Sequence, residues 1–293
     1  MCAQQHSTLQ SYPTITILSD GRVNGTDLIQ REKDVYTFKG DILGTLKVEK
    51  DGVTIDGAGY ALKADRNGGV MLRKNPGDIL MPFCYGGVVV RNVRFCNESC
   101  IFGSTQGNSF LNNTFEGGGI DINGLVSGTE NIIKYNVFIG CKYAISADYS
   151  GVNVVSENNF IDCNMFIALY GGGVMFDRNY WSVYETLYPD AKEIGLTGIW
   201  DTPYTHKPIY GFDHVFVDCN PLVGPVAGAG APEVHDVLIP VPTEAMFVKD
   251  FCPIVLMVVF VVFVVVVGIV CWFILKTIKP AEPEPKPILK EKK

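Results

Sequence analysis

The sequence predicts an all-β chain, a single-domain right-handed parallel β-helix with coils of about 22 residues, followed by one C-terminal transmembrane α-helix. Three observations predict it. A phrase of the form Asn-x-apolar-x-x-Asn-x-aromatic recurs at a nearly constant period. The composition is apolar and turn-rich, with 47% hydrophobic residues, 19% charged residues and 31 Gly. The stretch from Ile254 to Leu275 contains no charged residue.

The phrase reads Asn108-Ser-Phe-Leu-Asn-Asn113-Thr-Phe115, Asn131-Ile-Ile-Lys-Tyr-Asn136-Val-Phe138 and Asn153-Val-Val-Ser-Glu-Asn158-Asn-Phe160. It returns, with its first Asn lost, as Val174-Met-Phe-Asp-Arg-Asn179-Tyr-Trp181. Its aromatics lie 23, 22 and 21 residues apart, and an echo shifted by one sits at Val90-Arg-Asn92-Val-Arg-Phe95. Leucine-rich repeats share the period, but their leucine framework is missing. A parallel β-helix fits, because its coils stack about 4.8 Å apart and turn repeated residues into ladders. Phe115, Phe138, Phe160 and Trp181 are expected to form an interior aromatic stack. Asn113, Asn136, Asn158 and Asn179 are expected to form an amide ladder at a turn, where Asn tolerates a left-handed backbone and bonds its neighbours. Ile122, Ile145 and Ile167 align as an aliphatic ladder, and Cys141 lies over Cys163. These ladders build a fold and imply no activity.

Residues 1–50 read as an N-terminal segment and cap, with strands at Thr14–Leu18, Val35–Phe38 and Thr45–Val48 shielding the first coil's edges. Residues 51–181 read as the coils, beginning at Val53-Thr-Ile-Asp-Gly-Ala-Gly-Tyr-Ala-Leu62, with a polar loop at Asp65–Asp78. At 182–222 the period is lost, as expected of a C-terminal cap. Residues 223–253, rich in Gly, Pro and Ala at their start, read as a linker. Residues 254–275 are long enough to cross a hydrocarbon core of about 30 Å. Residues 276–293 form a basic, proline-rich tail.

Net charge is −7; the tail carries six of the 24 basic and three of the 31 acidic residues, leaving 18 against 28, or −10, for the rest. An acidic solenoid is a poor polyanion binder, so no nucleic-acid partner is expected. Lys276 and Lys279 flank the apolar segment, which places the tail in the cytoplasm and the β-helix outside the cell. Met1–Pro13 shows neither a basic n-region nor an apolar h-region. Export therefore implies a start upstream of Met1; the alternative is a tail-anchored protein with a cytosolic solenoid.

Asn179-Tyr-Trp181-Ser182-x-Tyr184, Gly198-Ile-x-Asp201-Thr202-Pro203-Tyr204 and Asp218-x-x-Pro221-Leu222, taken with the coils, resemble the right-handed parallel β-helix proteins of the NosD-like group. That group belongs to the wider set of carbohydrate-binding and sugar-hydrolase β-helix domains. Tyr36-Thr-Phe-x-Gly40-Asp-Ile and Val53-x-Ile-Asp-Gly57-Ala-Gly-Tyr60 are similar to the first coils of archaeal surface proteins of this type. The resemblance covers about residues 14–222. It implies a surface-displayed module that binds glycans or neighbouring envelope proteins, or serves a structural role. Polysaccharide hydrolysis or lysis, and copper maturation, are its alternatives.

Members of the group often carry Asp and Gly before the Asp-Thr-Pro-Tyr motif, an arrangement suited to calcium. Here the place reads Tyr188-Pro-Asp190-Ala-Lys-Glu193, with only two carboxylates. Calcium wants several oxygen ligands, so no cofactor is expected. Glycoside hydrolysis needs two carboxylates about 5 to 9.5 Å apart. Asp121, Asp148, Asp162 and Asp177 are the candidates, but their offsets from the coil aromatics differ, and no catalytic residue is assigned. Soft metals want clustered Cys, Met or His. Cys96 and Cys100 are spaced too loosely for a C-x-x-C pair, and His6, His206, His214 and His235 lie outside the coils, so no metal ligand is assigned. The coil cysteines read as buried apolar thiols, and an external location leaves a Cys141–Cys163 bridge open. Asn24-Gly-Thr26 and Asn97-Glu-Ser99 are N-glycosylation sequons; Asn112-Asn-Thr114 is a third, set beside a ladder position.

Overall fold

The computed structural model describes residues 12–64, 67–72, 85–103, 107–123, 130–148, 153–163, 169–170, 174–206 and 216–230. The chain divides into two compact units, residues 1–235 and 236–293, and every described residue belongs to the first. The predicted transmembrane segment, the basic tail, Ile167 and, of the predicted polar loop, residues 65–66 and 73–78 lie outside the described residues. Among the described residues, no helix is long and apolar enough to cross a membrane.

The described strands form an all-β parallel β-solenoid of three sheets. Each coil visits the sheets in the same order, so strands adjacent in space come from consecutive coils. Thr54–Asp56, Val89–Arg91, Ser109–Leu111, Asn131–Lys134, Asn153–Ser156 and Val174–Asp177 lie side by side in a ten-stranded sheet, here the second sheet. Ala61–Lys63, Arg94–Cys96, Thr114–Glu116, Val137–Ile139, Asn159–Ile161 and Tyr180–Trp181 do so in a seven-stranded third sheet. Gly69–Met71, Cys100–Gly103, Ile120–Asn123, Ile145–Asp148 and Leu169–Tyr170 do so in an eight-stranded first sheet. Alternation along each strand sends one residue inward and the next outward. Ile55, Val90, Phe110, Ile133 and Val155 are accordingly buried along the second sheet.

The stack begins earlier than residue 51. Val35–Phe38 pairs in parallel with Thr54–Asp56, Ile42–Leu43 with Ala61–Lys63, and Thr45–Val48 with Gly69–Met71. Residues 35–48 are thus a complete coil, hidden in the sequence because they lack the Asn phrase. Antiparallel strands close the ends: Val23–Asn24 on Thr14–Ile17 and Ile29–Glu32 on Val35–Phe38 at one, Tyr204–His206 on Phe216–Asp218 at the other. An antiparallel strand offers no continuation to a further parallel coil, which is how the exposed edge is blunted.

The aliphatic ladder differs from the sequence alignment by two residues. Ile145 pairs with Ile120, and Ile122 pairs with Ala147. The connection from third to first sheet is longer at 140–144 than at 117–119, so counting back from the aromatics shifts the register.

Candidate functional site

The corner between the second and third sheets is the most regular part of the molecule. It turns on a single residue with positive φ: Asn92, Asn112, Tyr135, Glu157 and Arg178, with φ between 54° and 59°. The ladder asparagines Asn113, Asn136, Asn158 and Asn179 each follow such a residue, so they are not themselves the left-handed positions. Their role is interior. Asn136 Oδ1 accepts the Asn113 backbone N–H at 2.9 Å and Asn113 Nδ2 at 3.0 Å. Asn136 Nδ2 donates to the Phe110 carbonyl at 2.8 Å and to Asn158 Oδ1 at 3.0 Å. Asn158 repeats this toward Asn179, and all four side chains are fully buried.

The ladder has a direction, since each amide oxygen receives from the previous coil and each amide nitrogen gives to the next. Its last donor needs an acceptor, and Asp218 supplies it. Asp218 Oδ2 accepts Asn179 N–H at 2.9 Å, Asn179 Nδ2 at 3.0 Å and Trp181 Nε1 at 3.1 Å. Burial pushes the Asp218 carboxyl up to about 6 against the pull of these donors.

Beneath the corner the rings of Phe115, Phe138, Phe160 and Trp181 stack with centroids 4.9, 5.0 and 4.3 Å apart. Phe95 extends the stack at one end and Tyr204 at the other, at 4.6 and 4.4 Å. A second buried amide series lies at the entry to the second sheet, where Asn108 N–H donates to Asn131 Oδ1 at 2.8 Å and Asn131 Nδ2 to Asn153 Oδ1 at 3.0 Å.

The outer faces differ in what they leave available. On the second sheet the charges satisfy one another. Arg91 meets Asp56 at 3.0 Å, Lys134 meets Glu157 at 3.0 Å, and Asn220 Nδ2 donates to Asp177 Oδ1 at 2.7 Å. Burial raises the Glu157 carboxyl, but hydrogen bonds from Tyr135 and Lys134 outweigh it and hold the group below the usual carboxylate range.

The third sheet is covered by the chain itself. After Pro221 the backbone turns back along the stack. Leu222 bridges Tyr180, Val226 N–H donates to Asn159 Oδ1 at 2.8 Å, and Gly230 N–H donates to Asn112 Oδ1 at 2.8 Å. A Cβ at Gly230 would lie 2.5 Å from Thr114 Oγ1, so only glycine allows this approach. The start of the expected linker is therefore a strap held against the coils.

The first sheet is the remaining outer face, and its lysine is engaged as well, Lys47 Nζ meeting Glu49 at 2.6 Å. Lys47, Met71, Phe102, Asp121 and Ser146 stand in register along it, each partly exposed. Exposed Tyr143 flanks it, with Lys142 Nζ 5.2 Å from its ring centroid. The segments leaving this sheet vary most in length, from 171–173 to 72–88, whereas the Asn corner needs only two residues. In repeat folds such variation gathers on the face that binds.

The other sequence candidates are spread over the three sheets and the cap, with one pair on the first sheet. Asp121 and Asp148 stand two register positions apart on adjacent first-sheet strands, Asp121 opposite Ser146 and Asp148 opposite Asn123, whereas Asp162 lies on a corner where its backbone N–H meets Ser182 Oγ at 2.9 Å and Asp177 belongs to the second sheet. Glu193 accepts the Gly198 N–H at 2.8 Å and Asp201 accepts the Lys192 N–H at 3.0 Å, so both carboxylates hold the cap's own hairpin. Asn24 is exposed and Asn97 partly exposed; Ser99 of the second sequon is buried, its hydroxyl donating to the Cys96 and Leu62 carbonyls at 2.6 and 3.1 Å. Cys96 and Cys219 each take part in a disulfide, in place of the buried free thiol expected at Cys96, whereas Cys100, Cys141 and Cys163 are free. Among the described residues, no group of three or more His, Cys, Asp and Glu gathers as a metal site.

With this geometry, comparison against protein families finds a match: the family model described as periplasmic copper-binding protein (NosD) covers residues 22–210. The chain belongs to the NosD family. Neither curated proteins nor solved structures give a match. The NosD match spans the coils and most of the C-terminal cap, but stops short of Asp218, which ends the Asn ladder, and of the strap.

Proposed function

We propose that this NosD-family chain is a membrane-anchored β-solenoid displayed outside the cell, where it binds a glycan or a neighbouring envelope protein without catalysing a reaction. The observation that carries the reading is the outer face of the first sheet, a row of Lys47, Met71, Phe102, Asp121 and Ser146 with exposed Tyr143 beside it. Aromatic rings, a cation and a carboxylate on a flat face suit neutral sugar rings, which stack apolar faces and hydrogen-bond at their rims. The periplasmic description of the family agrees with a solenoid outside the cytoplasm. The uncharged residues 254–275 serve as the anchor, with 276–293 in the cytoplasm. Exposed Asn24 is the better placed of the two glycosylation candidates, because the hydroxyl of Ser99 is taken up by the fold.

Binding of the full-length protein to immobilised neutral and acidic polysaccharides tests the role. Retention on a neutral glycan that Phe102→Ala and Tyr143→Ala together abolish, with the thermal midpoint unchanged, is the expected result. Equal retention by wild type and variant ends the reading.

The family description supports a second role, as a copper-maturation accessory. Copper would need clustered soft ligands. The described residues do not fit: Met71 and Cys100 belong to the first sheet, Cys141 and Cys163 follow strands of the third, and among the described residues no three His, Cys, Asp or Glu gather. Metal analysis of the protein after copper loading and washing separates the two roles. Polysaccharide cleavage, the remaining alternative, would draw on Asp121 and Asp148, the two candidates that share adjacent first-sheet strands.

A further inference from the structure

Two free thiols occupy equivalent places in consecutive coils. Cys141 follows Val137–Ile139 and Cys163 follows Asn159–Ile161; these strands pair with Ile139 opposite Ile161, so each cysteine stands two residues beyond a registered pair. Adjacent coils lie about 4.8 Å apart, within the about 4.4–6.8 Å between Cα atoms that a disulfide spans. Each thiol is the largest influence on the titration of the other. Their surroundings are otherwise backbone: Cys141 Sγ lies 3.5 Å from the Ile139 carbonyl, and Cys163 Sγ 3.3 Å from the Phe138 carbonyl. Beyond that backbone, the neighbouring Asp162 carboxylate works against the Cys163 thiolate.

The pair is asymmetric in access. Cys141 is 1% exposed, whereas Cys163 is partly open to solvent. The Cys141 thiol beside it holds the Cys163 thiol below its usual range, while the same contact and burial push Cys141 up. One cysteine is therefore suited to attack from solvent and the other to resolve from within.

We propose that Cys141 and Cys163 are a redox pair that closes to a disulfide between consecutive coils by exchange with an external disulfide. Cys163 thiolate attacks one sulfur of the donor; the donor's S–S bond breaks, one donor thiolate leaves, and a mixed disulfide forms. Cys141 loses its proton to solvent and attacks Cys163 Sγ, expelling the second donor thiolate. Two electrons pass from the cysteine pair to the donor, which is reduced to two thiols. The bond pins residues 140–144, the corner that carries Lys142 and Tyr143. It does not depend on what the neighbouring face binds.

The test uses the full-length protein, reduced and then held folded with excess oxidised glutathione. Remaining thiols are alkylated in denaturant and the chain is digested for mass spectrometry. A peptide pair joined through Cys141 and Cys163 is expected, with a higher thermal midpoint than the reduced protein. Cys141→Ser should trap glutathione on Cys163, because the resolving thiol is gone, and Cys163→Ser should leave Cys141 unmodified. Full alkylation of both cysteines in the wild type overturns the proposal, as does a glutathione that stays on wild-type Cys163 or a link from Cys163 to Cys100.

Discussion

At the residue scale, stability at the Asn corner comes from one side chain doing two opposite jobs. An amide both accepts and donates, so Asn136 can close the hydrogen bonds of the coil before it and open those of the coil after it. Alanine there leaves buried donors and acceptors without partners, at about 1–3 kcal/mol for each orphaned group. Asn136→Ala is thus expected to lower the midpoint of denaturant unfolding, and an unchanged midpoint would contradict the ladder. Phe138→Ala opens a gap between two stacked rings and is expected to cost about 3–5 kcal/mol in the same measurement. Full stability in that variant would refute the coil register. Asp218 adds a pH dependence. Its carboxyl titrates at about 6 in the fold, above the ordinary aspartate value of about 4. Between those values the folded chain holds a proton that the unfolded chain has released, so this group's stabilisation falls as pH rises through the window and is fully present only below it. Thermal unfolding of wild type and Asp218→Asn across about pH 4 to 7 should show that slope in the first and not the second.

At the scale of elements, legibility in the sequence followed regularity of spacing. The Asn corner uses the same two-residue turn in successive coils, so Asn113, Asn136 and Asn158 and their aromatics repeat visibly. The connections into and out of the first sheet change length from coil to coil, which is why Ile122 reads as a partner of Ile145 when Ala147 takes that place. The candidate face lies on that same sheet. Its residues, Lys47, Met71, Phe102, Asp121 and Ser146, share no chemical type, and only the register brings them into a row. The left-handed positions were hidden for a related reason: Tyr135, Glu157 and Arg178 are not turn-forming residues, and the coils on either side impose their backbone. The strap was invisible because its Gly, Pro and Ala composition is that of a linker, while its attachment runs through backbone groups. Asn159 holds it by two bonds, accepting from Val226 N–H at 2.8 Å and donating to the Val226 carbonyl at 3.1 Å. Asn159→Ala should release it, seen as faster amide hydrogen exchange at Val226 and Gly230 with the ladder amides unchanged. Equal protection in variant and wild type would mean that Asn159 does not hold the strap.

At the scale of the whole molecule, the distribution of charge makes a claim about topology that the solenoid alone does not. Residues 1–275 carry a balance of −10 and the tail a surplus of lysine, on opposite sides of an uncharged stretch of 22 residues. If residues 254–275 cross the membrane as proposed, Lys276 and Lys279 sit where positive charge holds a segment to the cytoplasmic side. The stretch 231–253, with prolines at 232, 240, 242 and 253, then joins the strap to the span and is the natural site of cleavage by a protease added outside. The coils themselves bury their backbone hydrogen bonds in ladders and should resist. Protease added to intact cells is expected to shed a solenoid-sized fragment while the tail, followed through an epitope at its end, stays with the membrane. If the chain remains whole until the cells are lysed, the solenoid faces the cytosol. A role in binding surface glycans then fails, whatever the outer face of the first sheet binds in vitro.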